Sequence, residues 1–157
     1  MNNSTKSFTS EKRNCGSCTK CCEGRLEATI HGHSMYTGNP CRFLCKSKGC
    51  TIYKDRPENP CKSYTCAWLD DDTFPLWMQP HLINAIINKK VSDNITYYEI
   101  IEVGQVLQSN VLNWMFMWAL RTRNNISYEI SGKTHHLGDA EFVKFMDEQE
   151  KTRRQLK

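Results

Sequence analysis

No cysteine occurs after Cys66, although the 157-residue chain carries nine. Something local to the first half demands them. There is no run of 18 apolar residues, which excludes a transmembrane helix. The first 14 residues are polar and hold no apolar h-region, so no secretory signal is expected. The expected location is therefore cytoplasmic and reducing, where clustered cysteines serve as ligands more often than as disulfides. The odd count and the adjacent pair Cys21-Cys22 also fit a disulfide framework poorly.

Apolar residues make up 39% and charged ones 24%, a globular rather than disordered balance. The formal charge of +4 treats every thiol as neutral. Metal-bound cysteines are thiolates, and four of them around a divalent ion carry about −2, so two such sites would cancel the excess. A nucleic-acid partner is not expected on charge grounds.

The length fits one domain or two small subdomains. Residues 1–14 read as a mobile tail, 15–70 as a cysteine-cluster metal-binding region and 71–157 as a small α+β subdomain. The expected fold class is α+β, an irregular metal-stapled N-terminal half packed on a hairpin, helix, strand and helix. Asp70-Asp71-Asp72 and Pro75 mark the boundary; the acidic triplet reads as a turn or helix start rather than a site for a hard cation. In the second half, 82–90 and 94–103 pattern as a β-hairpin turning near Ser92-Asp93, with a helix as the rival reading of 82–90. Leu107, Val111, Met115 and Trp118 form the stripe of a helix over 106–122, expected to be buried on most sides. Residues 126–131 alternate as a strand and Gly132 makes a turn. Asp139 is the expected N-cap of a last helix near 140–155, with Phe142, Val143, Phe145 and Met146 inward. His135-His136 falls in the turn before it.

The cysteines begin with Cys15-Gly16-Ser17-Cys18-Thr19-Lys20-Cys21-Cys22. A thiolate-rich site selects zinc or iron–sulfur over magnesium or calcium. Cys15-x2-Cys18 is the spacing of a zinc knuckle, and Cys15, Cys18, Cys21 is how an iron–sulfur run begins. A bacterial ferredoxin run would need its next cysteine three residues on, followed by Pro; here Cys22 follows at once. The 41–50 segment also lacks the Cys-x3-Cys-x2-Cys spacing of a radical S-adenosylmethionine loop. Adjacent side chains diverge, so Cys21 and Cys22 suit two four-cysteine sites, or one cluster with spare thiols. Two phrases open alike, Asn39-Pro40-Cys41 and Asn59-Pro60-Cys61, each with a second cysteine soon after (Cys45, Cys66). Large apolar residues are few between 15 and 66, and so small a core needs a staple such as a bound metal. His31 or His33 is a candidate nitrogen ligand. A cysteine nucleophile is a third reading, behind metal binding, because no cysteine has an evident base partner.

Together with Cys50-Thr51-Ile52-Tyr53-Lys54-Asp55-Arg56-Pro57 and Cys61-Lys62-Ser63-Tyr64, the opening run resembles the zinc- or iron-chelating CxxCxxCC domain family (YkgJ-type cysteine-cluster proteins) over roughly residues 15–70. The resemblance implies as metal ligands Cys15, Cys18, Cys21, Cys22, Cys41, Cys50 and Cys61, with Cys66 a common eighth and Cys45 an addition. It implies that Arg56-Pro57 is the family's turn, with Arg56 offsetting the charge of the centre. Some relatives are linked to lysine methylation of flagellin, but their extra regions are not recognisable in 71–157. The expected function is metal binding through a split cysteine constellation, as iron–sulfur clusters in redox or cluster-dependent modification with a protein or redox partner. The alternative is a zinc-stapled protein- or nucleic-acid-binding module without catalysis.

Overall fold

The computed structural model describes residues 13–156, so most of the expected tail lies outside the described residues. The fold is α+β, with its main sheet in the C-terminal half. That sheet has four strands in the order β5-β6-β7-β8: Ala85–Ser92, Ile95–Glu102, Asn125–Ile130 and Lys133–Leu137. Strands β5 and β6 pair antiparallel across Asp93-Asn94, both at positive φ, as a tight two-residue hairpin turn requires. The hairpin reading holds; of 82–90, only Pro80–Ile83 (α2) is helical. Strand β7 joins β6 in parallel, a pairing that needs a crossover, and helix α3 (Ser109–Thr122) supplies it. A second hairpin joins β7 to β8 through Ser131-Gly132.

Side chains alternate across the sheet, and each face has its own helix. Tyr98, Ile100, Ile126 and Tyr128 face α3, where Trp118 meets Tyr98 edge-on at 4.8 Å between ring centroids. On the opposite face Tyr97 and His136 meet Phe142 of α4 (Ala140–Gln155). Asp139 caps α4 as expected, accepting from the Phe142 N–H at 2.8 Å. Of the expected stripe, Val111, Met115 and Trp118 are buried within α3 and Leu107 is buried just ahead of it. The helix starts only at Ser109, because Gln108 is extended. Nor is it buried on most sides: Met117 is 59% and Leu120 64% exposed. The apolar run exceeds what one sheet face can cover. His135-His136 lies in β8 rather than in a turn, its two rings on opposite faces.

The N-terminal half contains two small antiparallel pairs, β1 (Ala28–Ile30) with β2 (His33–Met35) and β3 (Leu44–Cys45) with β4 (Gly49–Cys50). Their strands are too short for a clear alternation, so sequence patterning does not reveal them. A 3-10 turn, Lys20–Glu23, carries Cys21 and Cys22. Helix α1 (Ala67–Asp70) and the turn Leu76–Met78 run from the cysteine region into the main core. There are two cores. The larger joins α1, the sheet and α3; the smaller is centred on Ile30, Met35 and Cys41.

Arg13 fastens the chain entering the cysteine region. Its guanidinium donates to the carbonyls of Trp68 and Phe74, each at 2.7 Å, and stacks 4.8 Å from the Trp68 ring. It also reaches the Asp71 and Asp72 carbonyls and pairs with the Asp72 carboxylate at 3.5 Å. The acidic triplet straddles a helix end and a turn: Asp70 closes α1, and Asp71 Oδ1 accepts from the Thr73 N–H.

Candidate metal centre

The adjacent pair packs into two different cores. Cys21 packs against the large core beside buried Cys66, while Cys22 packs into the small core with Cys41 and Cys61. Electrostatics draws largely the same line, with Cys22 reaching across it to Cys21 and Cys15 to Cys22. Burial pushes the Cys21 thiol up, reinforced by Cys66, Cys18, Cys22 and Cys15. Burial pushes Cys22 up to about 12, reinforced first by Cys41, then by Cys50, Cys61 and Cys15. Cys61 is raised by burial and then by Cys41 and Cys50. Cys15 is raised by burial and then by Cys18; for Cys66, Cys15 and Cys18 add to burial against a hydrogen bond from the Leu69 N–H. Cys15, Cys18, Cys21 and Cys66 therefore form set one. Cys22, Cys41, Cys50 and Cys61 form set two.

Local structure explains the convergence on each set. The chain after Cys22 must return, and it does so through the β1–β2 hairpin, which lets the Cys41 N–H donate to the Cys22 carbonyl at 2.9 Å. Gly24 makes the departure possible: it sits at φ 88°, and a Cβ there would collide with the Tyr36 carbonyl. Both Asn-Pro-Cys phrases deliver their cysteine to set two. Their second cysteines differ: Cys66 joins set one, whereas Cys45 stands outside both.

Cys45 lies on the β3–β4 turn, its sulfur 3.3 Å from the Ser47 hydroxyl. That hydrogen bond and the backbone N–H groups of Ser47 and Lys48 lower its pKa, opposite to the buried thiols. The histidines are engaged elsewhere. His33 Nε2 meets the Pro40 carbonyl at 3.0 Å and His31 sits edge-on to Phe43. His136 meets Glu150 at 3.0 Å and His135 stacks on Tyr128. Neither His31 nor His33 lines the space between the thiols.

That space is a cavity of about 440 Å³, lined by Cys15, Cys18, Cys21, Cys22, Cys50, Cys61 and Cys66 together with Arg56. Among the described residues, no three His, Cys, Asp or Glu side chains close on a point as ligands of a single ion. The thiols rim a volume instead. Their chemistry fits a metal group: buried thiols that oppose one another's ionisation are stable as thiolates only beside strong positive charge. Arg56 supplies some. Its charge acts against the rise at Cys15 and at Cys61, one thiol of each set. Its guanidinium stacks 3.7 Å from the Tyr53 ring centroid and donates to the Tyr53 carbonyl at 3.0 Å.

Three supporting residues carry no signal in the cysteine spacing. Tyr64 donates its hydroxyl to Asn88 Oδ1 of β5, and burial followed by Cys21 and Cys66 raises its pKa. It thus ties set one to the main sheet. Asn88, 5% exposed in an otherwise Ile-rich strand start, is visible only as a polar residue at an inward position. Gln79 reaches the Cys15 carbonyl at 3.4 Å.

A second cavity, of about 490 Å³, lies between the sheet, α4 and Arg25. Three of its four carboxylates are already engaged: Glu150 with His136 and Arg154, Glu99 with Lys90, and Glu102 with the Leu107 N–H.

Fold and site together define an α+β protein built beside a thiol-lined cavity. No protein-family model, curated protein or solved structure matches the chain. None of its helices among the described residues is long and apolar enough to cross a membrane.

Proposed function

We propose that the chain holds two thiolate-bound metal centres, as iron–sulfur clusters, one in each four-cysteine set, and serves electron transfer or a cluster-dependent modification. The observation that carries this reading is the division of eight cysteines between two cores, seven of them lining one cavity and Cys41 buried in the small core, with Cys45 left outside. Four thiolates are the usual complement of one cluster or of one structural zinc. Iron–sulfur is preferred to zinc because Cys15, Cys18 and Cys21 stand at the spacing that begins an iron–sulfur run, and because seven thiols line one shared cavity. The centres would supply one-electron chemistry, and the chain's residues hold and shield them. The proposed location is the reducing cytoplasm, with a protein or redox partner. No thiol is paired with an imidazole among the described residues, so nucleophilic cysteine catalysis is not part of the reading.

Anaerobic purification with iron, sulfide and zinc quantification and a visible spectrum tests it. A brown protein with iron and sulfide filling both sets is expected. A colourless protein with two zincs would replace it with the zinc-stapled binding module. A metal-free, folded protein would end both readings.

A further inference from the structure

The two sets share more than a cavity. Cys21 and Cys22 are consecutive on the Lys20–Glu23 turn, yet each belongs to a different set and packs into a different core. Moving one ligand therefore moves the other through a single peptide. Arg56 is the second connection. It lines the cavity that holds thiols of both sets, and its Nε is buried without a hydrogen-bond partner. Its ring contact and its bond to the Tyr53 carbonyl fix the guanidinium plane without using that N–H. A buried, unpaired guanidinium N–H is costly and calls for an acceptor. The cavity offers thiol sulfurs beside the hydroxyls of Ser17, Thr19, Ser47 and Tyr64, and the guanidinium charge favours the thiolate of Cys15 in set one and of Cys61 in set two.

We infer that the two thiol sets take up and release metal as a coupled pair, linked by the Cys21–Cys22 peptide and by the shared Arg56 guanidinium. This rests on the two-centre reading. Two filled four-thiolate sites each carry net negative charge and repel across the cavity. Arg56 offsets that repulsion for both at once. A lysine ammonium is a point charge without the planar fork, so it can serve one set but not both.

The test follows metal release from the full-length, metal-loaded protein into excess chelator, by visible absorbance for iron–sulfur or a chromogenic chelator for zinc. Wild type should release both centres together. Cys50→Ser, which removes a set-two ligand and leaves the Cys21–Cys22 peptide anchored on one side only, should speed release from set one about tenfold or more, because the lost anchor outweighs the relief of charge repulsion. Arg56→Gln should speed release from both sets, and Arg56→Lys from at least one. Set-one release at the wild-type rate in Cys50→Ser overturns the coupling. Wild-type rates in both Arg56 variants overturn the role of the guanidinium. Should Cys50→Ser fail to fold, Arg56→Gln decides: faster release from both sets supports the coupling, from one or neither overturns it. Wild-type protein with no bound metal defeats the two-centre reading itself, whereas two metals released independently defeat only the coupling.

Discussion

Cys45 and Cys61 each belong to a short cysteine spacing, Cys41 to Cys45 and Cys61 to Cys66, yet their surroundings are opposite. Cys61 sits against the small core with Cys22 and Cys41, and its thiol is raised by burial; Cys45 is on a surface turn beside Ser47, and its thiol is lowered. The metal reading therefore makes unequal demands on the two. Cys18→Ser and Cys61→Ser should each lose metal and loosen the first half, while Cys45→Ser should keep full metal and shift stability by less than about 0.5 kcal/mol. Metal content and thermal midpoint of the three variants check this, and equal metal in all three would contradict it. At this scale the sequence reveals much of the candidate site. The adjacency of Cys21 and Cys22 already implies divergence, because neighbouring side chains cannot share one small ion. Arg13 is a different matter. It is one cation in a polar run, and nothing local announces that it will collect four carbonyls between Trp68 and Phe74. Contacts across some sixty residues leave no periodic trace.

Elements with a full repeat are readable, and elements shorter than a repeat are not. Helix α4, with a cap at Asp139 and four turns of pattern, stands where capping and periodicity place it. The β5–β6 hairpin has eight residues a side and an Asp-Asn turn. Strands of two or three residues, such as β1 to β4, carry no alternation, and their positions are set by the cysteines and turns they connect. The parallel partner of β6 is likewise invisible, since periodicity gives a strand but not its neighbour. The element most dependent on one residue is the turn into β1. Gly24→Ala places a side chain at φ 88° and against the Tyr36 carbonyl, so the backbone has to shift. The cost should be about 1–3 kcal/mol, and the bond from Cys41 N–H to Cys22 O should break with it. Metal occupancy of set two should fall further than that of set one. Amide exchange over 22–41 gives the readout, and wild-type protection there would count against this role for Gly24.

At the scale of the molecule, two cores meet along the cysteines. The smaller has only three buried members, Ile30, Met35 and Cys41, with partly exposed apolar side chains and the thiols of Cys22 and Cys61 around them. Removing metal should therefore separate the halves in stability. The main core takes in Cys66 and Cys21 of set one, but with Phe74, Ile86, Met115 and Ile126 all fully buried it should keep its packing without metal. Alkali makes the dependence measurable. In the reduced, metal-free fold Cys22 holds its proton up to about pH 12, and Cys21 higher still, against an ordinary thiol near pH 9. Between those values the unfolded chain has lost protons that the folded chain keeps. The unfolded state then binds fewer protons, so stability falls as pH rises. Below about pH 9 both states are protonated and that contribution is fully present. With metal bound the thiols are already deprotonated, and the window closes. Thermal melts of chelated, reduced protein should therefore drop steadily from pH 8.5 to 10.5, while the metal-loaded protein changes less. Hydrogen exchange should place the loss in 15–66 and leave β5 to β7 protected. Parallel pH profiles for the two forms, or exchange spread evenly over both halves, would mean that the thiol sets do not hold the first half together.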